Sequence, residues 1–85
     1  MDVRKLEEWE DEGYILDERT VCFELEELFS RVEELDSSQK YIPHCKGGYR
    51  SQVAYTFLRK HNIEAKLCNK PWKQIRMEEG LTFSK

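Results

Sequence analysis

Eighty-five residues allow one small domain, because a chain this short cannot divide its apolar residues between two cores. With 39% hydrophobic and 36% charged residues, a mean hydropathy of -0.80 and no apolar run near the roughly 18 residues that span a bilayer, the composition excludes a membrane protein and a secretory precursor. The net charge of -3 hides an asymmetry: residues 1–36 carry 14 acids to 4 bases, and residues 37–85 carry 3 acids to 10 bases. An anion is therefore expected against the second half, although two halves of opposite sign also fold against each other. No basic run with interleaved aromatics is present, so nucleic-acid binding is not expected.

Three cysteines, Cys22, Cys45 and Cys68, form no C-x-x-C pair and are odd in number, which argues against a disulfide framework and a zinc site. The expectation is a reducing, cytoplasmic setting, with no metal and no dissociable cofactor.

In chain order, Leu25, Leu28, Phe29, Val32 and Leu35 recur at helical spacing with glutamates between them, predicting an amphipathic helix over 24–35. Residues 40–44 read as a strand, although Pro43 lacks the amide that a central strand donates. A glycine loop follows, then a second helix from about Ser51 to Asn62 with Val53, Ala54, Phe57 and Leu58 on one face. Residues 63–68 alternate as a strand does, and Pro71 opens a short helical stretch with Trp72 and Ile75. Strand, loop, helix and strand make a right-handed βαβ unit with parallel pairing, so the class is α/β.

Folds of this kind place ligands outside the carboxyl ends of their strands, and Cys45 stands at that point. Gly47 and Gly48 can curl the backbone so that its amides point inward as an anion nest. The helix start near Ser51, with Lys46 and Arg50, adds positive charge, and all of these favour thiolate over thiol. A cysteine at a strand end is otherwise a small core residue; the glycines, Arg50 and Ser51 at fixed offsets favour a reactive one. His44 should point away from Cys45 and pack, Cys22 and Cys68 are expected in the core, and Tyr49 is placed to line the pocket mouth.

Cys45 to Ser51 resembles the C-x-x-G-x-R-S loop of single-domain rhodanese-like sulfurtransferases. Asp2-Val3-Arg4, Glu8-Trp9 and Gly13-Tyr14-Ile15 are similar to that family's D-V-R, E-[FYW] and G-H-I signature, and Trp72 with Glu79-Gly80-Leu81 resembles its terminal region. Against the family pattern, Pro43 lies in the catalytic strand, Leu16 to Arg19 replace small residues, Lys70-Pro71 replace a glycine pair, and the usual first strand and helix before D-V-R are missing.

The resemblance implies a rhodanese-like domain over residues 1–85, a mostly parallel central sheet flanked by helices in a minimal version. It also implies a persulfide relay in which Cys45 takes sulfane sulfur from thiosulfate or a persulfide and passes it to a thiol or cyanide. Lys46, Gly47, Gly48, Tyr49, Arg50 and Ser51 would form the substrate loop: the amides cradle the charged sulfur, Arg50 faces the substrate anion or ties down the loop, Lys46 attracts the donor's oxyanion, and Ser51 caps the helix. Asp2 and Arg4 would hold the core and the loop. The implied partners are a small sulfur donor and a thiol acceptor, with a protein partner allowed and neither nucleic acid nor membrane expected. The different class to weigh is an inactive rhodanese-like binding or regulatory module. His44-Cys45 with Arg50-Ser51 also resembles the H-C-x5-R-[ST] loop of protein tyrosine phosphatases, but only four residues separate Cys45 from Arg50, a ring too small for three phosphate oxygens.

Overall fold

A computed structural model describes residues 1–85. Four helices occur in chain order: α1 (Leu6–Glu12), α2 (Leu25–Arg31), α3 (Tyr49–Lys60) and α4 (Trp72–Ile75). The expected 24–35 helix is divided, because Arg31 leaves helical geometry at φ -121 and Val32–Glu34 tighten into a 3-10 turn. The Leu35 amide closes that turn on the Val32 carbonyl at 3.1 Å. The helix expected from about Ser51 begins two residues earlier, because Gly48 takes the N-cap position. α1 was not expected as a helix, yet five of its seven residues are Leu or Glu, which lose little side-chain freedom in one. Glu8 also accepts the Lys5 amide at 3.1 Å, satisfying a donor that the helix start leaves open.

The extended segments meet at single bridges and form no continuous ladder. Asp2 pairs in parallel with Cys22 on one side and His44 on the other; Tyr41 pairs in parallel with Ala65, and Ile15 pairs antiparallel with Phe83. The backbone of the 41–45 segment alternates between neighbours. Ile42 accepts the Met1 amine at 3.1 Å and His44 exchanges bonds with Met1 and Val3, while Tyr41 exchanges bonds with Glu64 and Lys66. Pro43 is the next residue in register to face the 64–66 side, and it has no N–H to donate there.

Met1, Val3, Leu28, Cys45, Ala54, Leu58, Ile63 and Ala65 make one buried cluster, so the bridged segments, α2 and α3 share a core. The nucleophile candidate is thus a core residue at the point where its segment leaves the core for the loop. No helix is long and apolar enough to cross a membrane.

Candidate functional site

The loop after Cys45 is shaped by Gly48, whose φ of +101 lies in the left-handed region that side-chain-bearing residues avoid. This reversal folds the chain back over the sulfur. The Gly48 amide donates to Cys45 Sγ at 3.1 Å and the Ser51 amide at 3.2 Å, so two peptide dipoles from the first turn of α3 converge on one atom. The amides of Lys46, Gly47, Tyr49 and Arg50, which lie between and beside them in the chain, carry no protein partner. A Cβ at Gly47 or Gly48 would meet nothing within 4 Å, leaving an open approach on the glycine side of a cysteine that is itself 1% exposed.

Ser51 does not cap α3. It lies inside the helix, where its amide serves Cys45 and its hydroxyl donates to the Gly48 carbonyl at 2.9 Å, so it ties the reversal to the helix that follows. Tyr49, 77% exposed, stands out from the loop.

The loop's two cations are held by α1. Arg50 donates from both terminal nitrogens to Glu8, at 2.5 and 2.9 Å, and Lys46 pairs with Glu12 at 3.1 Å. Glu8 and Glu12 are one helical turn apart, so a single face of α1 grips the loop at its first residue and at its fifth. The Arg50 guanidinium holds the Glu8 carboxyl below its usual range against the opposing effect of partial burial, and Glu8 in turn raises Arg50. Of the two roles foreseen for Arg50, its observed contacts are those of a loop tie. Glu8 and Glu12 were missed as loop partners, and the sequence signal for them was the carboxylate pair at i and i+4 in a run otherwise read only for its Glu8-Trp9 motif.

Beneath the loop sits a buried ion pair. Arg4 and Asp2 are both fully buried, and Arg4 donates to Asp2 through Nε at 3.0 Å and Nη2 at 2.8 Å. Arg4 Nη2 also reaches the Gly13 carbonyl at 2.7 Å, and its guanidinium carbon lies 3.9 Å from the centre of the Trp72 ring. The Trp72 amide then donates to the Lys46 carbonyl at 2.9 Å. Asp2 and Arg4 therefore reach the loop through α4 and anchor the end of α1 as well. Burial pushes the Asp2 carboxyl up, but the His44 imidazole and Arg4 outweigh it and hold it well below the usual range. His44 is buried, stacks nearly parallel on Trp72 at 6.1 Å and turns Nε2 toward Asp2 at 3.4 Å, which is the placement of a packing residue.

The other two thiols are half-buried rather than fully in the core. Burial, reinforced by Asp2, Glu24 and Glu27, pushes Cys22 up to about 12 and keeps it protonated. The Cys68 thiol faces the Lys70 carbonyl at 3.9 Å. No group of three or more His, Cys, Asp or Glu side chains is gathered to hold a metal ion.

Two solved structures resemble this one over nearly its full length. One is a rhodanese-related protein from Thermoplasma volcanium, 22% identical, matched over 96% of this chain and 80% of its own with a TM-score of 0.80. The other is a protein from Staphylococcus saprophyticus, 21% identical, matched over 95% of this chain and 77% of its own with a TM-score of 0.79. No protein-family profile and no curated protein matches the sequence. The chain has a single-domain rhodanese-like fold.

Proposed function

We propose that the domain is a sulfurtransferase that carries sulfane sulfur on Cys45. The observation that supports this reading best is the convergence of the Gly48 and Ser51 amides on Cys45 Sγ, because hydrogen bonds aimed at a sulfur stabilise it as an anion. In the loading step the Cys45 thiolate attacks the outer sulfur of a donor R–S–SH. The donor S–S bond breaks, R–S⁻ leaves with the bonding pair, and Cys45–S–SH remains. A thiol or cyanide acceptor then attacks that outer sulfur and restores the Cys45 thiolate. The loop amides without partners are free to bind the added sulfur, one bond length beyond Sγ. Lys46, Gly47, Gly48, Tyr49, Arg50 and Ser51 frame this cradle, and Asp2 and Arg4 position it from below.

A phosphatase reading has less support. The ring is one residue short, and Arg50, the group that would clasp a phosphate, is engaged by Glu8. The test of the proposal is thiocyanate formation from a sulfur donor and cyanide. Turnover that vanishes in Cys45→Ser with the fold retained supports it; a folded, reduced wild type without turnover for either thiosulfate or a persulfide would instead favour a binding module.

A further inference from the structure

Each cation of the loop that would receive an anionic donor is already paired with a carboxylate of α1. Arg50 donates once from each terminal nitrogen to Glu8, and Lys46, more exposed, is paired with Glu12. Arg76 and Lys85, the basic side chains at the end of α1, are likewise turned to backbone carbonyls, those of Glu12 at 3.1 Å and Glu10 at 2.5 Å. What faces the sulfur is the pair of neutral Gly48 and Ser51 amides, and the helix that holds the loop's cations carries the acids Glu7, Glu8, Glu10, Asp11 and Glu12.

From this arrangement, and resting on the sulfurtransferase reading above, we propose that Glu8 and Glu12 set the donor class: a persulfide borne on a thiol, in preference to thiosulfate. Thiosulfate brings two negative charges and three sulfonate oxygens, and loading from it releases sulfite: Cys45–S⁻ and S–SO₃²⁻ give Cys45–S–S⁻ and SO₃²⁻. That leaving group needs a cation or a fork of donors where its oxygens lie, and the loop's own two cations are drawn toward α1, Arg50 firmly by Glu8 and the more exposed Lys46 more weakly by Glu12. A persulfide asks less, because its leaving group is a single thiolate sulfur and the charge being transferred stays at the amide cradle. Glu8 and Glu12 act through Arg50 and Lys46 and are positioning residues.

The experiment measures kcat and KM for thiosulfate and for the persulfide of cysteamine, whose ammonium offsets its own sulfur charge, with cyanide as acceptor. Wild type is expected to show the higher kcat/KM with the persulfide. Glu8→Gln frees Arg50 and should shift the donor ratio toward thiosulfate by roughly tenfold, the scale of one hydrogen bond to a charged group, chiefly through a lower thiosulfate KM. Glu8→Asp keeps the charge and should keep the wild-type ratio. Glu12→Gln, on a pair whose lysine is 60% exposed, should move the ratio in the same direction by less, and it carries the test if Glu8→Gln fails to fold. A wild type that prefers thiosulfate overturns the inference while leaving sulfur transfer intact. So does a Glu8→Gln variant that slows both donors equally, the mark of a clamp that only supports structure. If neither donor loads the wild type, the sulfurtransferase reading falls and this inference with it.

Discussion

The two loop glycines offer a contrast that separates backbone geometry from space. A Cβ at either would meet nothing within 4 Å, so crowding plays no part at Gly47 or Gly48. Only Gly48 holds a positive φ, +101, and alanine there costs about 1–2 kcal/mol in backbone energy. At Gly47 alanine meets no such penalty and narrows the unfolded ensemble, a gain of about 0.4–1 kcal/mol. Gly47→Ala and Gly48→Ala should therefore differ by about 2 kcal/mol with opposite signs relative to wild type. At a urea slope of about 1 kcal/mol/M, their unfolding midpoints should lie roughly 2 M apart. Function should divide the same way. Relaxing the strained φ turns the Gly48 amide away from Cys45 Sγ, and losing a hydrogen bond to a charged group, about 1.5–3 kcal/mol, should slow persulfide loading at least tenfold. Urea melts and stopped-time loading of each variant measure both effects. Equal destabilisation by the two substitutions, or a greater loss at Gly47, would refute the assignment of Gly48 as the residue that turns the loop over the sulfur.

Three further outcomes are expected. Asp2→Asn leaves Arg4 buried without its counter-charge, which costs about 3 kcal/mol or more and lowers Tm by at least roughly 12–24 °C in calorimetry. Because the folded Asp2 carboxyl titrates below its ordinary 3.8, its stabilisation is complete above that value and is lost as pH falls below it; urea melts from pH 6 to 2 should show an acid-dependent loss in wild type that is smaller in Asp2→Asn. Cys22→Ala and Cys68→Ala should retain near wild-type turnover, and brief iodoacetamide treatment at neutral pH should spare Cys22, whose thiol stays protonated.

The parts of the molecule legible in the sequence are those written in neighbouring residues. Cys45, the glycines, Arg50 and Ser51 lie within seven positions, so the curl of the loop followed from glycine's conformational range and the helix after it. The apolar faces of α2 and α3 were readable from their 3.6-residue spacing, and Leu28, Ala54 and Leu58 are buried accordingly. What was not legible depends on groups distant in sequence. Glu8 and Arg50 stand 42 residues apart: the spacing of Glu8 and Glu12 marks a carboxylate face on α1, but nothing local to it names the loop cations as what that face meets. The same holds for Arg4 against Trp72 and for Trp72 against Lys46, contacts that exist only once α4 has docked. Ser51 looked like a cap because serine caps helices; Gly48, with its left-handed backbone, already ends the loop three residues earlier. Pro43 is an obstacle to a central strand, and its missing N–H falls on the Ala65 side, while His44 still bonds Met1 and Val3 on the other; both sides are single bridges.

The central claim is that Cys45 carries the sulfur, and the intact mass of the reduced, folded protein before and after treatment with a sulfur donor tests it most directly. The account predicts a gain of one sulfur atom in the wild type, none in Cys45→Ser, and loss of the added sulfur on exposure to cyanide. A wild type whose mass does not change with thiosulfate or a persulfide, or a gain that persists in Cys45→Ser, would contradict it.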